Sequence, residues 1–215
     1  MSFQGEIETR CPHGCEPFTA PVWSYVDGGK SPELRDTIKA LELNLLLCPS
    51  CGKAFAPDAT WIYSEPALEI LAFVFPESYK ADEATWREKM ESDYAQLQEA
   101  LGGDLAVRHE PEIFFGPEGL ASLLEFEDWR GDERDVMAFV AQELGLGLHK
   151  ISPAWAREHG APNVLPFKGA AATRETVIAG IKALLAANER LTAWGDYLKT
   201  LEAEPGAGLP PAAKG

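Results

Sequence analysis

Four cysteines, all held in two short turns, constrain this 215-residue chain more than any other feature. Cys11 and Cys15 bound the turn CPHGC, and Cys48 and Cys51 bound CPSCG at the end of the apolar run ELNLLLC. Four thiolates are a complete ligand set for a tetrahedral ion. Two short chelating turns separated by a longer excursion are the ribbon arrangement of structural zinc. In CPSCG, Pro49 restricts the loop and Gly52 permits the backbone geometry that aims amides at sulfur. CPHGC has one more intervening residue and therefore a different bite, with Gly14 supplying the freedom to close it. His13 is the alternative ligand, but four cysteines already saturate a structural site, so it reads as an exposed loop residue. A closed site has no open position at which to activate water, so its expected role is in folding. Iron fits the same tetrathiolate, and a redox pair of Cys48 with Cys51 is also chemically compatible.

Composition sets the surroundings of that site. Hydrophobic residues make up 46% and charged residues 25%, which is globular composition. The formal net charge of -15 repels phosphate backbones and anionic lipid, and the 19 Lys and Arg are scattered, so nonspecific nucleic-acid binding is not expected. The opening MSFQGEIETRC has neither a basic nor an apolar leader region, and runs such as Leu68 to Phe75 are too short to span a bilayer. A cytoplasmic protein without membrane attachment is expected, and its cysteines would meet a reducing environment that favours metal ligands over disulfides.

Along the chain, GEIETRC, FTAPVWSYVD, LELNLLLC, ATWIYS and ALEILAFVF are rich in β-branched and aromatic residues and predict strands. Between the cysteine pairs, SPELRDTIKAL predicts a helix with Ser31 as cap, Pro32 at its first position, and Leu34, Ile38 and Leu41 on one face. From about residue 80 the pattern turns helical. Trp86, Met90, Leu97 and Leu101 form one stripe, and two shorter helices are expected in PEGLASLLEFEDW and DERDVMAFVAQELG, with LAVRH and EIFFG as isolated strands. Gly145 to Phe167 reads as irregular. A long helix then follows, capped by Thr173, with Val177, Ile181, Leu184, Leu191, Leu198 and Leu201 facing a core. The expected class is α+β: a β-rich module at residues 1–80 clasped by cysteines, a mainly helical region at 81–204, and a disordered tail at 205–215.

With these elements placed, the N-terminal part resembles the CpXC domain over about residues 5 to 78. The likeness lies in the paired CP-x-C motifs, the ELNLLLCPSCG approach, the linking helix SPELRDTIKALELN and the aromatic strands after it. CPHGC departs from the two-residue spacing of that family. The resemblance implies a cysteine-ligated bacterial domain and supplies no substrate, activity or catalytic residue.

Other chemistry is sparse. The histidines at 13, 109, 149 and 159 form no HExxH or other metal-pair spacing, and neither a GxSxG elbow nor a P-loop is present. LGLGLHK lacks the setting of a dinucleotide fingerprint and reads as a helix ending. The acidic EFEDWRGDERD reads as a solvated helix–helix turn in which Trp129 is a candidate partner anchor, and Glu110 and Glu112 read as loop charge. The expected function is a zinc-binding adaptor or assembly protein with a protein partner and no catalytic residue. The competing class is an enzyme with a site between the two regions, for which His109, His149 and His159 are first candidates. The third is a thiol-redox or iron protein.

Overall fold

Two strands open the computed structural model, which describes residues 1–100, 110–203 and 208–213. These are β1 (Phe3–Thr9) and β2 (Phe18–Asp27), paired antiparallel, and the turn between them carries Cys11 and Cys15. Helix α1 (Pro32–Lys39) follows, with Pro32 at its start and Ile38 fully buried. Ser31 does not cap it through its side chain as expected: its hydroxyl pairs with that of Ser2 at 2.8 Å. The end of α1 is a Schellman turn, with Leu41 N–H on the Ile38 carbonyl, Glu42 N–H on that of Thr37, and Leu41 at φ 59.

That turn, with Asn44 at φ 61, also shortens the strand expected in ELNLLLC. Only β3 (Leu46–Leu47) remains, and it pairs with β4 (Ala54–Phe55) to make a hairpin with Cys48 and Cys51 at its tip. Asn44 ties this excursion to the sheet. Its side-chain oxygen accepts from Trp23 N–H at 2.7 Å and its amide donates to the Trp23 carbonyl at 3.0 Å.

The chain returns as β5 (Trp61–Glu65) and β6 (Ile70–Phe75), then α2 (Glu83–Ala100) and β7 (Glu112–Phe115). Strand order is β1-β2-β5-β6-β7, with β2/β5 and β6/β7 parallel and the other pairs antiparallel. Every residue of β6 is buried, and the residues alternate between two apolar clusters. Ile70, Ala72 and Val74 pack with Ile38 of α1 and with Leu120 and Leu124, whereas Leu71, Phe73 and Phe75 pack with Trp86 and Met90 of α2. The sheet is therefore covered on both faces. On the first face Arg35 donates to Glu65 at 3.1 Å and to the Leu124 carbonyl at 3.3 Å, and Tyr63 donates its phenol to the same carboxylate.

The compact units are Met1–Glu125 and Phe126–Gly215, so the division falls well beyond the expected boundary near residue 80. The physical reason is β7: it pairs with β6, and α2 is the crossover a parallel pair requires. Of the expected helix stripe, Trp86 and Met90 pack as described, whereas the side chain of Leu97, together with Leu101, LAVRH and His109, lies outside the described residues.

The two helices expected after EIFFG are one, α3 (Glu118–Glu143), which runs unbroken through Gly131. A helical glycine costs about 1 kcal/mol and need not end a helix. The actual end is at Gly145, φ 64, where Leu146 N–H reaches the Ala141 carbonyl. Gly145 to Phe167, expected irregular, contains the antiparallel pair β8 (Gly147–Lys150) and β9 (Val164–Phe167) around α4 (Pro153–Glu158). The long helix expected next is two: α5 (Arg174–Ala187), capped by Thr173 in a capping box, and α6 (Thr192–Ala203). Val177, Ile181, Leu184, Leu191 and Leu201 are buried in the core of this unit as expected, but not as one helical face, since Leu191 lies in the break between the two helices. The described part of the tail is ordered, since Ala212 bridges to Ile151 and Ala213 N–H reaches the Lys150 carbonyl at 3.1 Å. Among the described residues no helix is long and apolar enough to cross a membrane. The α+β class stands, with a strand-rich first part and a mostly helical second part.

Two substitutions test this packing. Asn44→Ala loses both bonds to Trp23 and places a Cβ residue other than Asn at positive φ, so it should cost about 2–3 kcal/mol in urea unfolding, whereas Asn44→Gly should recover about 1 kcal/mol of that. A Cβ on Gly180 of α5 would overlap the Pro166 carbonyl oxygen and lie 2.6 Å from Phe167 Cα. Gly180→Ala should therefore destabilise by about 1–3 kcal/mol, seen as a lower melting transition.

Candidate metal centre

The four cysteine sulfurs all lie within 4.8 Å of one another. They come from the β1–β2 turn and from the tip of the β3–β4 hairpin, two segments that local sequence alone would not bring together. An aromatic contact outside the thiols holds the two turns in place. Phe18, at the start of β2, meets Phe55 of β4 edge to face with centroids 6.1 Å apart.

Within the cluster, Cys11 and Cys48 are buried, Cys15 is half-buried and Cys51 is exposed. Cys11 Sγ and Cys51 Sγ stand 3.7 Å apart. A zinc–sulfur bond of 2.3 Å gives a tetrahedron whose edges are about 3.8 Å, so this spacing is that of sulfurs around one ion. Each turn is closed by its own backbone, with Gly52 N–H on the Cys48 carbonyl at 2.8 Å and Gly14 N–H on that of Cys11 at 3.1 Å. Both glycines have positive φ, 68 and 78 respectively, which is the freedom that their places in the two motifs predicted.

Electrostatics divide the thiols. The backbone amides of Cys51 and Ser50 point at Cys48 and outweigh its burial, pulling its thiol down to about 7. Cys15 is pushed up to about 12, first by its hydrogen bonds with Cys51 and Cys48 and then by burial. The His13 amide acts to lower Cys11, but burial and the thiols of Cys51 and Cys48 outweigh it and the net direction is upward. Four negative sulfurs this close repel one another, and a bound cation is the group that would let all of them ionise. The set can therefore hold a metal ion, and its chemistry is that of a site filled by protein ligands alone.

The remaining candidates fall elsewhere. His13 is exposed and takes no place in the cluster, although its main-chain amide faces Cys11. His159 stacks on Trp155 with centroids 4.1 Å apart and shares Nδ1 with that residue's carbonyl. His149 lies in β8, and its Nε2 is buried without a hydrogen-bond partner among the described residues. Glu112 is part of β7 and half-buried, which replaces its reading as loop charge, while Glu110 is exposed just before the strand. EFEDWRGDERD is a helical segment and not a turn, and its charge is only partly solvated: Glu127 and Arg130 are buried. Sequence reasoning missed these two because nothing local separates a buried charge from an exposed one.

Neither a curated protein nor a solved structure matches the chain. A family model does, the CpXC protein, over residues 9–117. That span begins just before Cys11, contains both cysteine turns, and ends just after β7, the strand that completes the sheet. More than half of the sequence, including its whole cysteine cluster, thus follows one family pattern, and the chain belongs to the CpXC family.

Proposed function

We propose that this is an intracellular, non-catalytic adaptor or assembly protein whose first unit is clasped by a structural zinc ion on Cys11, Cys15, Cys48 and Cys51. The observation that carries the reading is the convergence of four sulfurs within 4.8 Å, a ligand set with no position left for water or substrate. When bound, the ion supplies coordination free energy on the order of 10 kcal/mol, as in small zinc modules. The chain's own part is to hold the two turns together through Phe18 and Phe55 and to aim the amides of Ser50 and Cys51 at Cys48. A reducing compartment is required to keep the cysteines as thiols, which supports an intracellular setting. A second reading, thiol redox at Cys48 with Cys51, has the depressed Cys48 thiol in its favour.

Metal analysis of protein purified without added metal should find about one zinc per chain, with loss in Cys48→Ser. A tagged pull-down from the native host, run with and without chelation, tests the adaptor reading: chelation should lower the melting transition and release the partner. If fold and partner binding both survive chelation, the proposal fails. Visible absorbance would point to iron, and reversible oxidation of Cys48 with Cys51 to the redox reading.

The thiol energetics give a separate expectation. Cys11 and Cys15 are held protonated at neutral pH because their values are raised, so zinc must displace those protons. Apparent affinity should rise with pH and fall on acidification, and calorimetry in buffers of different ionisation heat should show release of roughly two or more protons at pH 7.

A further inference from the structure

The second unit takes the larger part of α3, from Phe126 onward. Met137 and Ala141 of that stretch are buried in the core of the unit, and the opposite side of the helix faces water. Three large apolar residues stand on this outer side: Trp129 is 54% exposed, Val136 48% and Phe139 66%. Asp132 and Glu143 share it and are exposed as well. Residues 129, 132, 136, 139 and 143 follow one another at alternating intervals of three and four, which sets them in one line about 21 Å long. That is the spacing of a seam between two helices, and a single helix packed along it would touch all five side chains. Phe126 extends the apolar end, stacking on Trp129 with centroids 6.0 Å apart.

Charge decides what such a helix must carry. Arg130 and Arg134 are the only basic residues in the sequence of α3, and both positions lie off the seam. Arg130 is buried and donates to the Ala161 carbonyl, and Arg134 bonds Asp135 at 3.1 Å. Arg157, which shares a cavity wall with Trp129, faces the buried Glu127 at 3.7 Å. Docking would withdraw Asp132 and Glu143 from water, and a carboxylate so withdrawn costs stability unless a cation meets it. A second copy of this face offers only two aromatic rings, a valine and more carboxylates, so self-pairing leaves both acids unmatched. Anionic lipid is repelled for the same reason. We infer that this face docks a basic amphipathic helix of a partner protein, with apolar side chains on Trp129, Val136 and Phe139 and lysines or arginines opposite Asp132 and Glu143. The two acids also fix the register, because a shifted helix would set apolar side chains against them. A partner here is separate from one held by the metal-clasped unit, so helix binding by the protein as purified and release of a partner by chelation succeed or fail independently.

Fluorescence anisotropy of three labelled peptides, each titrated with the full chain at about 0.15 M salt, tests the match. KLLKKLLKKLLKKLLK carries both features, ELLEELLEELLEELLE carries the apolar face with the opposite charge, and KQQKKQQKKQQKKQQK carries the charge alone. The first should bind at least about tenfold more tightly than either of the others. Trp129→Ala and Phe139→Ser, both at exposed positions, should each weaken it by about 5- to 30-fold. Asp132→Asn combined with Glu143→Gln should weaken it by about 3- to 10-fold. The control pair Glu6→Gln and Glu8→Gln removes the same charge from exposed positions of β1 and should change binding by less than about twofold. Equal losses from the two acid pairs would mean general attraction to an acidic chain and would overturn the proposal, as would equal binding of the lysine and glutamate peptides. A concentration-dependent dimer that excludes the first peptide would give the face to a second copy and overturn it as well.

Discussion

Strand β6 is buried along its whole length, and much of the first unit follows from that. A strand whose residues alternate between two apolar clusters requires a layer on each face of its sheet. α1 and the start of α3 supply one layer and α2 the other. Without α2, the side chains of Leu71, Phe73 and Phe75 would face water, at about 2 kcal/mol for each large residue. The helical region after residue 80 is thus not a separate body attached to a β module: its first helix and next strand complete the module. The family match, which runs to residue 117, covers the same set of elements.

The cysteine cluster stands in a different relation to that core. β2 and β5 are parallel neighbours, so the chain must leave the sheet and return, and the β3–β4 hairpin lies within that connection. Unlike α1 and Leu43, which join the core, the hairpin part of that connection buries little apolar surface, and Leu45 and Leu47 are exposed. It is fastened instead by Asn44 on Trp23, by Phe55 on Phe18 and by four sulfurs. Chelation energy acts where hydrophobic burial is weakest, on loops whose ordering would otherwise cost entropy without return. A metal in that position fixes a surface and leaves the sheet core to hydrophobic packing.

What was legible in the sequence was local chemistry. The two cysteine turns, the glycines that close them, β2 as Phe18–Asp27 and the Thr173 capping box depend on residues within a few positions of one another. What was not legible depends on partners far away. ELNLLLC has strand composition, yet the Schellman turn at Leu41 and the bond from Asn44 to Trp23 leave only two residues paired. EFEDWRGDERD has the composition of a solvated turn, yet it continues as helix, with Arg130 reaching the Ala161 carbonyl. The described tail residues have the composition of a disordered end, yet Ala212 finds an edge at Ile151.

The misread acidic segment also shows how a strongly acidic chain uses its few cations. Most of its lysines that form ion pairs do so on the surface, as Lys89 with Asp93 and Lys199 with Asp196, where screening leaves little stability to gain. Arg35 and Arg130 are instead withdrawn from water, and each donates to a main-chain carbonyl as well as facing a carboxylate. Arg35 meets its carboxylate at hydrogen-bond distance, and that same carboxylate also accepts from Tyr63, so its position is satisfied within the fold. Arg130 meets a carboxylate that it shares with Arg157 at longer range. The first arrangement ties α1 to β5, and the second, in which Arg130 donates to the Ala161 carbonyl at 2.7 Å, ties α3 to the segment before β9. Both arginines join a helix to a neighbouring segment because a guanidinium can face a carboxylate and donate to a main-chain carbonyl at once, which the single ammonium of a lysine does with less fixed geometry.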